Sequence, residues 1–296
     1  MLYSLLTLIY HLYIMQQDNL AGYIQNHRRT IVNAACFQNN LNNSRYSAVA
    51  SRSLFVEHYH KLIYCEVPKA GCSNWKRVIF LLKLGFLHYP EDLKHKDVHN
   101  NKLLNRLSEY SVDQQKEILN KYTKVMFSRH PFTRLVSAYR DKILHSQAYY
   151  TDVVRSIKNK IRRAQNLESD VTFEEFVRFL LQEDPRNMDI HWRPMHHICD
   201  PCNIQYDIYG KFETIKLDAD YLLRSIKAPY YLKYPSIKEY PNESRTNEII
   251  SKGYFKSLSK LQLQGLAKIY HFDFVMFNYK NIYNINEVTV HKLSST

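Results

Sequence analysis

Apolar and polar stretches follow one another along the chain in an order that predicts strands alternating with helices. Three short apolar runs are typical of buried strands, namely Leu62–Val67, Lys124–Ser128 and Tyr206–Phe212. Helices are predicted over 73–84, 111–122, 131–144, 172–181 and 258–270. Because alternating strands and helices build parallel sheets covered by helices, the pattern predicts an α/β fold, a central, mainly parallel sheet flanked by helices.

Several helix starts carry recognisable signals. Ser111 and Thr172 are each followed three residues later by Gln or Glu, the arrangement of a capping box. Behind Thr172, apolar side chains recur at helical spacing at Phe173, Phe176, Val177, Leu180 and Leu181. Pro131 suits the first turn of the next predicted helix, and Ser73 is a candidate N-cap.

The ends of the chain differ from its centre. Residues 1–15 contain no Asp, Glu, Lys or Arg and predict a signal anchor, although they are shorter than the roughly 20 residues that span a bilayer. An ordinary buried helix is the alternative. The polar, Asn-rich residues 16–53 indicate a stem or linker, 54–280 a globular domain, and 281–296 a tail.

Composition narrows the class of protein. The 296 residues are 45% hydrophobic and 23% charged, which excludes a wholly disordered chain. The net charge of +13 predicts a polyanionic partner, which is a nucleic acid, an anionic membrane, a phosphorylated cofactor or an acidic polysaccharide. Charge alone does not choose among these.

Five cysteines are too few for a disulfide scaffold. Cys199 and Cys202 form a Cys-x-x-Cys pair without the second pair that a zinc site needs, so a local disulfide or buried thiols are expected, and no metal. Asn42 and Asn242 begin Asn-x-Ser sequons, which are N-glycosylation acceptors in a lumenal chain.

The segment 67–75 predicts a phosphate site. A strand enters a tight turn around Gly71 and a helix follows at once, so backbone N–H groups and the helix dipole converge on one point. Lys69 adds a cation and Ser73 a hydroxyl. The order of residues is not that of a Walker A motif, because the lysine precedes the glycine.

A second segment has the same organisation. Arg129 stands at the end of the predicted strand 124–128, and Ser137 lies eight residues on in the following helix. An arginine fork and a hydroxyl at such a position suit another phosphate.

These two segments resemble the 5′-phosphosulfate and 3′-phosphate motifs of sulfotransferases. Residues 64–77 and 134–142 are similar to the Golgi carbohydrate sulfotransferases, the branch with the chondroitin and dermatan 4-O-sulfotransferases and the HNK-1 sulfotransferase. The resemblance covers roughly residues 60–280 and includes the pair His191-Trp192. One departure is His130, where the family usually has an acidic residue.

The resemblance implies the donor 3′-phosphoadenosine 5′-phosphosulfate (PAPS), with no metal, and a sugar hydroxyl as acceptor. The residues that it assigns to the 5′-phosphosulfate are Pro68, Lys69, Ala70, Gly71, Cys72, Ser73, Asn74 and Trp75, with packing an equal alternative for Trp75. It assigns Arg129 and Ser137 to the 3′-phosphate.

The expected acceptor is the 4-OH of N-acetylgalactosamine in a chondroitin or dermatan-type glycosaminoglycan. A glucuronic acid 3-O-sulfotransferase of the HNK-1 kind and a non-catalytic glycan-binding relative are the alternatives. The resemblance also implies a single-pass type II Golgi membrane protein with a lumenal domain. A nucleic-acid partner is not expected, because it would explain neither the loops nor the sequons.

The acceptor hydroxyl must lose its proton, and histidine suits that role near neutral pH. His99, which lies between the two motifs, is the first candidate and His191 the second; His95 and His196 rank below them. Lys69 would stabilise charge on the leaving phosphate oxygen.

A basic cluster follows the second motif. Arg155, Lys158 and Arg162, together with Arg163, would share one face of a helix and could bind an anionic glycosaminoglycan. A solvated helix face is the equal alternative.

Overall fold

The computed structural model describes residues 2–43, 45–85, 89–99, 104–145, 150–162, 169–238 and 242–281. The chain forms two compact units. The first takes in 1–128 and 198–240, and the second takes in 129–197 and 241–296. The predicted tail over 282–296 lies outside the described residues.

A four-stranded sheet organises the first unit, with the strands β1 (Leu54–Glu57), β2 (Leu62–Cys65), β3 (Thr123–Ser128) and β4 (Ile208–Lys211) in that order. β2, β3 and β4 pair in parallel, which confirms the predicted α/β fold with a mainly parallel sheet. β1 was not predicted; it pairs antiparallel with β2. Its four residues are all buried, so it shows no alternation of apolar and polar positions.

The helices of the first unit are α1 (Leu2–Gln38), α2 (Ala48–Ser53), α3 (Cys72–Leu84), α4 (His95–His99), α5 (Val112–Lys121), α10 (Pro201–Ile204) and α11 (Ile215–Ser225). Side chains of α3 and α11 pack with the sheet in one apolar core that includes Trp75, Phe127 and Leu222. The capping box at Ser111 is confirmed at the start of α5. The turn between β2 and α3 therefore joins two elements that pack in this core.

Residues 16–53, which were expected to form a stem or linker, are helical over most of their length. In α1, Gln25 is buried and its amide bonds the backbone N–H of Tyr209 in β4 and the carboxylate of Asp218 in α11. Arg28 forms an ion pair with Asp218 at 2.7 Å. Polar residues therefore form part of the buried face of α1, beside the apolar Val32 and Ala35.

None of the helices in the described part of the chain combines the length and the apolar character that crossing a membrane requires. The anchor over residues 1–15 stays a prediction.

Two disulfides join distant parts of the first unit. Cys36 of α1 bonds Cys202 of α10, and Cys65 of β2 bonds Cys199. The expectation of a local disulfide or buried thiols at 199–202 is therefore wrong, because each of these cysteines bonds a partner more than 130 residues away. Among the described residues Cys72 is the one free cysteine.

The second unit is helical in its described part. Its helices are α6 (Pro131–Tyr139), which continues as a π-helical turn over Arg140–Leu144, α7 (Thr151–Arg162), α8 (Phe173–Leu180), α12 (Glu248–Phe255), α13 (Lys260–Ile269) and α14 (His271–Met276). α9 (Met195–Cys199) spans the boundary between the units. The predicted capping box at Thr172 is confirmed, and the apolar positions behind it lie in the core of this unit.

Candidate functional site

The turn from β2 to α3 has the backbone geometry of an anion site. Lys69 and Gly71 both adopt left-handed conformations, with φ of 68° and 86°. Gly71 is the N-cap of α3, and helix N–H groups at such a start are available to an anion. The helix begins at Cys72, so Ser73 is not the N-cap that the sequence suggested but lies in the first turn.

Packing under this turn is dense and aromatic. Trp75 is fully buried, with its ring 4.7 Å from that of Phe127 and 5.1 Å from that of Tyr234. The Tyr234 hydroxyl donates to the carbonyl oxygen of Gly71 at 3.1 Å. The Asn74 amide donates to the carbonyl oxygens of 235 and 237 at 3.0 and 3.2 Å. The segment 234–237, which no sequence signal singled out, thus holds the turn in place.

Gly71→Ala is expected to destabilise the protein and weaken its binding of adenosine 3′,5′-bisphosphate, the desulfated form of the implied donor. A Cβ at this position would lie 2.3 Å from the Tyr234 hydroxyl, and a left-handed non-glycine residue costs roughly 1–2 kcal/mol. Gly85→Ala is the matched control, because Gly85 is also left-handed but has open space around it. Calorimetric titration should show weaker binding for Gly71→Ala alone; equal affinities would contradict the prediction.

His99, the first candidate for the base, lies beside this turn. Its Nε2 is 3.0 Å from the Ser73 Oγ, and its Nδ1 is 3.3 Å from the Nζ of Lys76. Lys76 is buried and forms an ion pair with Glu66, which Arg106 also contacts at 3.0 Å. Burial raises the pKa of Glu66, but the charges and hydrogen bonds of Lys76 and Arg106 have the larger effect. The pKa of Glu66 therefore lies below its usual value. Lys76, Glu66 and Arg106 therefore form a network of charged groups that contacts His99 through Lys76.

The second predicted motif belongs to the second unit. Arg129 directly follows β3 in the chain, is buried, and donates to the carbonyl oxygen of Thr246. Arg140 donates to the carbonyl oxygen of Ser244 at 3.1 Å and to Thr246 Oγ1 at 2.9 Å. Ser137 lies on α6 and is partly exposed. The two arginines thus fix the segment 244–246.

His130, the departure from the family pattern, is the N-cap of α6. Its Nδ1 accepts from the backbone N–H of Thr133 at 3.5 Å, and its Nε2 donates to the carbonyl oxygen of Lys280 at 3.1 Å. An acidic residue at this position would accept the same hydrogen bond. The histidine therefore keeps the cap but removes a negative charge.

His191 lies in the loop between α8 and α9, with its Nδ1 2.8 Å from Asp189 Oδ1. His95 begins α4. His196 is the second residue of α9, and its Nδ1 lies 2.8 Å from Oδ1 of the fully buried Asp273. Asp273 also accepts two backbone N–H groups at the start of α9, so the pair is part of a helix cap.

The predicted acceptor cluster lies on α7, and its residues differ in their partners. Arg162 is held by Glu175, with Nε 2.5 Å from Oε1, and also bonds the backbone of Ser169 and Asp170. Arg155 is exposed and pairs with Asp152 at 2.9 Å, and Lys158 is partly exposed. Arg163 lies outside the described residues. Within this cluster, Arg162 serves the packing of the second unit.

Stability between pH 5 and pH 2 should depend on Glu175. The Arg162 hydrogen bond, acting against burial, lowers the pKa of Glu175 to about 2. Its contribution to folding is therefore complete above the unfolded value near 4.5 and is lost as the pH falls toward 2. Denaturant midpoints of Glu175→Gln should fall less over this range than those of the native protein. Glu174→Gln is the control; an unchanged slope in Glu175→Gln would refute the assignment.

The predicted glycosylation sites are accessible to solvent, since Asn42 and Asn242 are both exposed.

Over the residues that the structure describes, no group of three His, Cys, Asp or Glu side chains is arranged to hold a metal ion.

Comparison with known proteins identifies the family. The sulfotransferase family model matches residues 52–280. Mouse carbohydrate sulfotransferase 8 is 42% identical over 266 residues, covering 86% of this chain and 63% of the relative. Human carbohydrate sulfotransferase 9 is 42% identical over 234 residues, covering 76% and 53%. Zebrafish (Danio rerio) carbohydrate sulfotransferase 14 is 33% identical over 267 residues, covering 86% and 71%.

The chain thus spans a little under two thirds of the mouse relative and about half of the human one. No solved structure matches it significantly. The family match covers both predicted phosphate-binding segments, the loop of His191 and both cysteines of the Cys-x-x-Cys pair. This chain therefore belongs to the sulfotransferase family, among the carbohydrate sulfotransferases.

Proposed function

We propose that this protein transfers the sulfuryl group of PAPS to a hydroxyl of a sugar. The observation that carries the proposal is the β2–α3 turn, where left-handed Lys69 and Gly71 lead into a helix start with His99 beside it. Such a turn suits the 5′-phosphosulfate of the donor. Membership of the carbohydrate sulfotransferases supports both the donor and the sugar acceptor.

In this proposal residues 68–75 bind the 5′-phosphosulfate. The Lys69 ammonium stabilises the charge that develops on the leaving phosphate oxygen. Arg129 and Ser137 bind the 3′-phosphate, with Arg129 held at the end of β3 by its bond to Thr246. The reaction needs no metal, because the leaving phosphate is already a stable anion that basic side chains and helix N–H groups can stabilise.

The acceptor that we propose is the 4-OH of N-acetylgalactosamine in a chondroitin or dermatan-type chain. The motif resemblance supports this choice, and the exposed Arg155 on α7 is a basic group that suits a sulfated or carboxylated glycan.

We also place the protein in the Golgi lumen, attached to the membrane through residues 1–15. Two long-range disulfides support a compartment that is oxidising. The exposed sequon residues Asn42 and Asn242 agree with a lumenal chain that carries N-glycans.

The test is transfer of labelled sulfate from PAPS to a panel of desulfated glycans, followed by disaccharide analysis. Label at the 4-position of N-acetylgalactosamine is the expected result. Label at the 3-position of glucuronic acid would instead support an HNK-1-type enzyme. Binding of the donor without transfer to any glycan would indicate a non-catalytic relative and reject the proposal.

A further inference from the structure

The segment 227–238, which follows α11 in the first unit, presents lysine and tyrosine side chains to solvent. It contains three lysines and three tyrosines but no Asp or Glu. Lys227, Tyr230 and Lys233 are exposed, and Tyr230 keeps 89% of its surface in contact with water. A single exposed aromatic residue is ordinary, but one that stands between two exposed cations suits a ligand with both apolar and acidic parts.

The second half of this segment is fixed to the β2–α3 turn. The Tyr234 hydroxyl donates to the carbonyl oxygen of Gly71 at 3.1 Å, and the Asn74 amide donates to two carbonyl oxygens of the segment at 3.0 and 3.2 Å. Lys233 is the neighbour of Tyr234 in the chain. The Cα atom of Tyr230 lies within roughly 14 Å of that of Tyr234, because four residues span no more than this. The exposed side chains are therefore close to the turn, within the same unit.

The lysines of this segment are available to an anion. Among the residues that the structure describes, no carboxylate forms an ion pair with Lys227 or with Lys233. On α7, by contrast, Arg155 pairs with Asp152 at 2.9 Å. A cation without a carboxylate partner attracts an anion more strongly than one whose charge a neighbouring carboxylate already offsets.

The order of these side chains suits a polymer. Tyr230 stands midway in the chain between Lys227 and Lys233, whose Cα atoms are separated by no more than roughly 22 Å. The face of an aromatic ring carries partial negative charge, so it attracts the C–H groups on the apolar face of a pyranose. Two cations with an aromatic ring between them therefore match a polysaccharide that offers both apolar sugar faces and acidic groups.

We propose that the segment 227–238 binds the acceptor as an acidic polysaccharide, with Lys227 and Lys233 contacting its carboxylate or sulfate groups and Tyr230 packing against a sugar ring. This rests on the proposed sulfotransferase function. It assigns most of the preference for an anionic acceptor to the first unit. Arg155 of α7 contributes less, because Asp152 offsets its charge.

The first test is transfer of labelled sulfate from PAPS to desulfated chondroitin and to the same polymer after reduction of its carboxylates to alcohols. Lys227→Ala and Lys233→Ala should each raise the KM for chondroitin about fivefold, the factor that corresponds to roughly 1 kcal/mol for a charge pair in water. The kcat, the KM for PAPS and the KM for the reduced polymer should stay near the native values. A native KM for chondroitin in both variants would overturn the proposal.

The charge itself is tested at position 233. Lys233→Arg should keep the native KM for chondroitin, whereas Lys233→Glu should raise it more than Lys233→Ala does. Lys61→Ala is the matched control for Lys227→Ala, because both lysines are exposed and left-handed, with φ of 51° and 55°. Lys61 precedes β2, while the β2–α3 turn follows it. An equal rise in KM for Lys61→Ala would indicate a general effect of net charge and contradict the assignment.

The aromatic contact has its own variants. Tyr230→Ala should raise the KM for both polymers about two- to tenfold, because the ring meets sugar faces whether or not the carboxylates are present. Tyr230→Phe keeps the ring and should behave as the native protein does. Tyr59→Ala is the control, since Tyr59 is also exposed, at 87%, but lies in the turn between β1 and β2. An unchanged KM in Tyr230→Ala would refute the packing of Tyr230 against a sugar.

Retention on immobilised chondroitin in a NaCl gradient separates this proposal from the proposed function, because it needs no turnover. The double variant Lys227→Ala and Lys233→Ala should elute at lower NaCl than the native protein. The double variant Lys61→Ala and Lys256→Ala removes the same charge from two other exposed positions and should elute with the native protein.

The two failures have different signatures in this experiment. Equal elution of all three proteins, with sulfate transfer intact, refutes only the acceptor surface. A native protein that is retained through Lys227 and Lys233 but transfers sulfate to no glycan refutes the catalytic function and leaves the polysaccharide surface in place.

Discussion

Lys69→Ala is expected to lower kcat/KM for PAPS about 10²–10³-fold, the loss that follows removal of one group that stabilises developing charge. The side chain is partly buried in the β2–α3 turn, which in the proposed function binds the 5′-phosphosulfate. The loss should be mainly in kcat, because the leaving oxygen gains charge as the bond to sulfur breaks. Transfer of labelled sulfate at varied PAPS concentrations measures both constants.

Lys61→Ala is the matched control for this change. Lys61 is also a lysine in a left-handed conformation, with φ of 51°, but it lies exposed in the turn between β1 and β2. Any cost of placing alanine in that backbone conformation is therefore shared by the two variants. Equal activity of the two would show that the Lys69 ammonium plays no part in the reaction.

The double replacement Cys65→Ala and Cys199→Ala is expected to lower the free energy of unfolding by about 5 kcal/mol. This disulfide closes a loop of 134 residues, and a long closed loop restricts the unfolded chain strongly. The loss is a large part of the 5–15 kcal/mol that stabilises an ordinary domain. Urea denaturation monitored by circular dichroism should show a much lower midpoint.

Cys72→Ala is the control for the disulfide variant, since Cys72 has the same side chain, is partly buried in the same unit and forms no disulfide. Its midpoint should stay close to that of the native protein. The variant pair Cys36→Ala and Cys202→Ala should resemble the first double replacement, because its loop spans 166 residues. A native midpoint in both pairs would contradict the entropic argument.

Much of the fold could be predicted from local signals. Ser111 and Thr172 mark the starts of α5 and α8, because a capping box joins residues only three positions apart. The strands β2, β3 and β4 appear as apolar runs, since a parallel sheet is covered on both faces. By contrast, β1 is four residues long, and α1 shows polar residues whose partners lie almost 200 positions away.

Some residues of the candidate site could likewise be predicted from the sequence, and others could not. Lys69, Gly71, Arg129 and His99 stand out by their order relative to predicted strands and helices. Lys76, Glu66, Tyr234 and Asp189 do not, because each acts through a contact with another side chain or a distant backbone group. The sequence marks the residues that suit an anion but not those that hold them.

The sequence by itself determined the α/β class and the family, and it predicted two phosphate-binding segments, because these depend on residues that are close together in the chain. Only the tertiary structure decided which cysteines bond, that Lys76 lies beside His99 and Asp189 beside His191, and that Arg162 is bound to Glu175. Each of these depends on atoms brought together by folding from separate parts of the chain, and no local pattern records such a distance.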